Sequence, residues 1–150
     1  LQKLSPNLAS FAGKVLPGVT SLLDDIADSD AILGLLTGNI AQGAKAKIDH
    51  YGLDGYFSIE VGAYGDDHHD RNQLGPVALE RARSKHGIAF QAEQSVVIGD
   101  TPKDIACGQA MGAATLAVAT GRFSLAELEG FGADLAVADL CDPRVPSFLQ

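Results

Sequence analysis

The chain has 150 residues, 46% of them hydrophobic, with a formal net charge of −8 and a pI near 4.7, enough to build one core of ordinary size. The acidity argues against binding to the phosphate backbone of nucleic acid or to an anionic membrane surface, and an anionic substrate would need a cation at the site. No apolar run approaches the roughly 20 residues of a membrane span, and no basic, apolar, small-residue signal stands at the start.

In chain order, residues 1–14 are polar and irregular and read as a linker ahead of a single unit over 15–150. Val19, Leu22, Leu23, Ile26 and Ala27 recur at helical spacing after Pro17-Gly18, which predicts an amphipathic helix over 18–28. A buried strand is expected at 31–36, a helix at 40–51, a strand at 56–61 and a helix at 74–85, closed by Gly87. Strand 95–98, helix 102–111 ending at Gly112, strand 114–119, a short helix at 125–130 and strand 135–138 complete the series. Strands alternating with helices predict an α/β fold with a doubly wound parallel sheet. Cys107 and Cys141 stand without metal or redox spacing, as reduced packing residues of a cytoplasmic protein do.

Two strand ends carry chemistry. In Val96-Val97-Ile98-Gly99-Asp100-Thr101-Pro102-Lys103-Asp104, an apolar strand runs into two acids with a helix start between them. Ligands of open α/β sheets sit at the carboxyl ends of such strands, and hard carboxylate oxygens there suit Mg²⁺. Thr101, Pro102 and Asp104 also read as N-cap, first helical residue and third-position acid of a capping box. That accounts for Asp104 but leaves Asp100 unexplained. In Leu36-Thr37-Gly38-Asn39, the Thr37 hydroxyl and the backbone N–H groups of Gly38 and Asn39 could meet an anionic oxygen. The competing account makes Asn39 a plain N-cap.

Between them lies Gly65-Asp66-Asp67-His68-His69-Asp70-Arg71-Asn72. Adjacent histidines with no further His or Cys at useful spacing read as a solvated loop, not a metal site. Arg71 could offset phosphoryl charge or simply pair with Asp70. Thr120-Gly121-Arg122 reads as a turn, with the rim of the site as the alternative.

In order and spacing these stretches resemble the haloacid dehalogenase (HAD) superfamily, in its phosphoglycolate-phosphatase-like branch. Leu36-Thr37-Gly38-Asn39 resembles the second motif, whose hydroxyl contacts the transferred phosphoryl; Val97-Ile98-Gly99-Asp100-Thr101-Pro102-Lys103-Asp104 resembles the fourth, whose acids hold Mg²⁺, and Ala110-Met111-Gly112-Ala113 continues it. Leu16-Pro17-Gly18-Val19 looks like the return from a cap into the core. The third motif usually places lysine then proline before its helix; here the sequence is Asp70-Arg71-Asn72-Gln73, so Arg71 takes the role, with His69 as the other register.

The resemblance implies a Mg²⁺-dependent phosphatase of small phosphorylated metabolites acting through an aspartyl-phosphate. Thr37 and Arg71 would be catalytic, Thr37, Gly38 and Asn39 would bind substrate, and Asp100 with Asp104 would hold the metal. The absence of an Asp-x-Asp nucleophile after an apolar strand is the main departure, since Asp24-Asp25 and Asp28-Ser29-Asp30 follow no such strand. The expectation is therefore the C-terminal part of a longer protein, lacking its first strand and most of a helical cap. Its sheet would stay incomplete until an N-terminal segment or a partner strand is supplied. A phosphomutase of the same superfamily and a non-catalytic Mg²⁺-binding subdomain are the alternatives.

Overall fold

The computed structural model describes residues 13–150; the first twelve residues of the expected linker lie outside the described residues. Three strands, β1 (Val96–Gly99), β2 (Ala114–Val118) and β3 (Leu135–Val137), form a parallel sheet in the order β1-β2-β3. Six helices surround it among the described residues: α1 (Val19–Ala27), α2 (Ala41–His50), α3 (Leu74–His86), α4 (Pro102–Met111), α5 (Leu125–Gly130) and α6 (Arg144–Phe148). The parallel register requires crossovers, and α4 and α5 supply them.

The pleat of β2 explains the two layers. Ala117 points to one face, where it meets Ile105 of α4, Leu128 of α5 and Ala136; Leu116 and Val118 point to the other, against Val137, Val145 of α6 and Leu22 of α1. Leu116, Leu128 and Val137 are at most 1% exposed, and each such burial contributes about 1.5–3 kcal/mol. Small residues set the spacing of α4. A Cβ on Gly108 would sit 2.4 Å from Thr115 Cγ2 and 3.3 Å from Val97 Cβ, so only glycine lets this helix lie directly on β1 and β2.

Two predicted strands are not formed. The run 31–36 carries a single parallel bridge, Leu36 to Ala63, and 56–61 contains a 3₁₀ turn at Ile59–Val61. Only two hydrogen bonds join these segments, from Thr37 N to the Ala63 carbonyl (3.1 Å) and from Ala63 N to the Leu35 carbonyl (2.9 Å). A strand exists through its ladder, and apolar composition alone cannot extend one beyond the residues that have a partner. Among the described residues β1 likewise pairs on one side only, and all four of its residues are half-buried. Helix α6 lies beyond the last predicted element; it starts after Pro143 and contains Pro146, which has no N–H to give to a helical hydrogen bond.

Candidate functional site

Gly99 ends β1, and the chain turns at Asp100 into Thr101, which has extended backbone (φ −131°, ψ 157°) and precedes Pro102 at the first position of α4. Asp104 lies one turn in and is 5% exposed. Its Oδ2 accepts from Asp100 N (3.1 Å), Thr101 N (3.0 Å) and the Thr101 hydroxyl (2.8 Å), while Oδ1 pairs with Arg71 Nη2. A carboxylate offers about four lone-pair sites; three donors crowd Oδ2 and Arg71 takes one site of Oδ1, so a direct metal contact by Asp104 would fall to the remaining site of Oδ1. The capping account of Asp104 is therefore correct, with the ion pair to Arg71 added to it.

Arg71 opens a single 3₁₀ turn, Arg71–Gln73, whose Asn72 N–H is capped by the Asp70 carboxylate at 3.0 Å. Asp70 is thus the cap of this turn and not the partner of Arg71. The Arg71 carbonyl accepts from Cys107 Sγ at 3.3 Å, a thiol that burial pushes above its ordinary value. Arg71 Nε is buried without a hydrogen-bond partner among the described residues. His69 is exposed and stacks on His68 with ring centroids 4.5 Å apart, and His68 Nδ1 accepts from Asp70 N. Arg71, and not His69, is the residue that reaches Asp104.

Asp100 is exposed and its carboxylate has no hydrogen-bond donor among the described residues. It faces a cavity of about 290 Å³ lined by Leu16, Val19, Val118, Thr120 and Leu140. Gly121 backs it closely, since a Cβ there would lie 2.3 Å from Asp100 Oδ2. Thr120 and Gly121 therefore form both a turn and the rim of the site. The described residues hold no group of three or more metal-ligating side chains. Asp100 alone fits magnesium as one hard anchor, because that ion keeps several waters and needs few protein carboxylates.

The Thr37 turn forms the second region. Thr37 Oγ1 accepts from Asn39 N (3.1 Å), which leaves its proton free to donate. Asn39 Oδ1 accepts from Ile40 N (2.9 Å), and the side chain fills the space over Gly43. Its Oδ1 is engaged by the helix, while the Thr37 hydroxyl and the Gly38 N–H stay open to a ligand, with nothing within 4 Å of a Cβ built on Gly38. The N-cap of α2 is Ile40, not Asn39, and gives no side-chain cap. Asp66 supplies that acceptor from 25 residues away, taking the Ala41 N–H at 3.2 Å. Thr120 and Gly121 carried the rim of the site only as the alternative to a plain turn, and Asp66 was not singled out from the sequence. A helix-capping acid so distant in sequence leaves no local signature, whereas a glycine directly after a strand end was the one usable clue.

Residues 71–143 match the family model described as HAD-hyrolase-like. Three solved structures align over most of the chain. A predicted phosphatase from Clostridium acetobutylicum is 23% identical with a TM-score of 0.71, covering 91% of this chain and 60% of that one. A family IA, variant 3 HAD hydrolase from Entamoeba histolytica is 17% identical with a TM-score of 0.78, covering 97% and 64%. A haloacid dehalogenase-like hydrolase from Streptococcus pneumoniae is 21% identical with a TM-score of 0.67, covering 91% and 60%. The chain has the fold of these HAD structures. Comparison with curated proteins gives no match. The chain spans about 60% of the length of these HAD structures. The matched stretch takes in Arg71, Asp100 and Asp104 and leaves the Thr37 turn outside it. No helix of the described residues is long and apolar enough to cross a membrane.

Proposed function

We propose that the chain supplies the cation- and phosphoryl-handling side of a magnesium-dependent phosphatase acting on small, phosphoglycolate-like phosphate monoesters in the cytoplasm. One observation carries this reading. Asp104 ties Arg71 and the Asp100–Thr101 turn to a single buried carboxylate, so a fixed guanidinium and an open carboxylate stand at the carboxyl end of β1. Pairing by Asp104 keeps Arg71 in place, and its remaining N–H groups would donate to the oxygens of a phosphoryl in transfer. Asp100 would anchor Mg²⁺, with Asp104 holding the turn behind it. Bound magnesium would neutralise phosphoryl charge and orient the group. Thr37 donates its hydroxyl proton and Gly38 its N–H to equatorial oxygens.

The nucleophilic aspartate is not among these residues, and the bond-making step therefore belongs to a segment outside them. The same segment, or a partner strand, would pair with the edge of β1 that has no ladder among the described residues. The reading predicts Mg²⁺-dependent hydrolysis of p-nitrophenyl phosphate, with release of inorganic phosphate, by the natural full-length protein. Loss of turnover in Asp100→Asn by about 100-fold or more is expected. No turnover in the parent overturns the phosphatase reading in favour of a non-catalytic module; transfer without phosphate release identifies a phosphomutase. An unchanged rate in Asp100→Asn removes the role of Asp100.

A further inference from the structure

The loop 62–71 is a strap rather than a solvated connection. At one end it is bonded to the Thr37 turn: Gly65 N donates to the Asn39 carbonyl at 2.8 Å, and Asp66 accepts from Ala41 N. The approach is so close that a Cβ on Gly65 would fall 2.0 Å from the Gly38 carbonyl oxygen. At the other end Arg71 is bonded to Asp104. Among the described residues no hydrogen bond or ion pair runs directly between the Thr37 turn and the Asp100 turn, so this strap sets one against the other.

The middle of the strap is clamped. Arg81, on α3, places Nη1 2.7 Å from Asp67 Oδ2 and Nη2 2.6 Å from Oδ1, a two-pronged pairing. Its Nη1 also donates to the Gly62 carbonyl at 2.9 Å, and Asp67 Oδ2 accepts from Tyr64 N at 2.8 Å. Gly62 and Tyr64 flank Ala63, the residue that bridges to Leu36. The clamp thus grips the strap on both sides of its one sheet contact, next to the residues that touch Gly38 and Asn39.

The geometry points to Asp67 and Arg81 as positioning residues that hold the Thr37–Gly38 turn in register with Arg71, an inference that rests on the phosphatase reading for its consequence in turnover. Neither residue touches the phosphoryl. Releasing the clamp lets the Thr37 hydroxyl and Gly38 N–H drift from the oxygens they serve, in ground and transition states alike. Such a loss of uniform binding raises KM and leaves kcat nearly unchanged. A merely structural role would instead shrink the active fraction, lowering apparent kcat at constant KM.

The test uses the natural full-length protein with Asp67→Asn and, as a milder change that keeps the cation but loses the planar fork, Arg81→Lys. KM for p-nitrophenyl phosphate and the inhibition constant of inorganic phosphate should rise together by about tenfold in Asp67→Asn and by about threefold in Arg81→Lys, with kcat changed less than about twofold. In parallel, amide hydrogen exchange at Asn39, Ala41 and Gly65 should quicken by about tenfold, while Leu116–Val118 in β2 keep their protection. Constant KM, or unchanged exchange at those three amides, overturns the proposal. A parent protein without turnover overturns the phosphatase reading instead, and the exchange arm then decides the clamp on its own.

Discussion

The Asp104 end of the site and the Thr37 end are built on opposite plans. At the first, one buried carboxylate receives four donors, α4 lies on two strands through Gly108, and β1 pairs with β2 along four residues. At the second, a single bridge at Leu36 and two backbone hydrogen bonds hold the strand end, and the rest of the support comes from surface acids of the strap. The contrast separates two tasks that one motif list would merge. The Asp104 end is preorganised by its own core, whereas the Thr37 end depends on the strap.

The comparison breaks most sharply at Asp104. Asp104→Asn keeps the volume but cannot match four donors, and it leaves the Arg71 cation beside a neutral amide. Removing one partner of a buried pair costs about 3–5 kcal/mol; because the Arg71 side chain is 28% exposed, about 3 kcal/mol is expected by urea denaturation. A cost below about 1 kcal/mol would show that this end is not the rigid one. Next comes Gly108→Val, whose Cβ alone meets Thr115 Cγ2 at 2.4 Å. Overpacking of this kind costs about 1–3 kcal/mol. Full stability in that variant would mean that α4 can lift off the sheet, and with it the Asp100 turn.

The same contrast decides what could be read beforehand. The capping-box spacing of Thr101 and Asp104, the helix at Pro102–Met111 and the strand at its foot are local patterns, and the structure reproduces them within a residue. The strand expected at 31–36 failed because a ladder depends on a neighbour that no window of sequence contains. Arg71 is the intermediate case. Its place in the resembled motif is legible, but its partner is 33 residues away, where only the adjacent Asp70 offered itself as a local alternative. Asp67 and Arg81, 14 residues apart on a loop and a helix, have no pattern to betray them.

Acid should separate the two ends without any substitution. The Arg81 guanidinium bonded to Asp67 holds that carboxyl below its ordinary value of 3.8, helped by the Tyr64 N–H and opposed by burial. A carboxyl depressed in the folded state contributes stability that is fully present above its unfolded value and is lost as pH falls through the folded one. Hydrogen exchange at Gly65 and Ala41, measured from pH 5 to pH 3 and corrected for intrinsic rates, should therefore lose protection at about pH 4 and below, while Leu116–Val118 stay protected. Loss at both places together would make the molecule one cooperative unit and erase the distinction.

The smallest stability effect belongs to Thr37. Thr37→Val preserves shape and removes the acceptor for Asn39 N, but that N–H lies at an exposed turn where water replaces the lost partner. Unfolding free energy should fall by less than about 1 kcal/mol. If the hydroxyl serves the phosphoryl in ground and transition states alike, kcat/KM of the full-length protein should nevertheless drop by about 100-fold, chiefly through KM, and Thr37→Ser, which keeps the donor, should recover most of it. A large activity loss beside a negligible stability loss would mark the Thr37 turn as selected for chemistry, in contrast to Asp104, where the two quantities should fall together. Full activity in the Val variant beside a loss in the Ser variant would instead show that the methyl group matters and the hydroxyl does not.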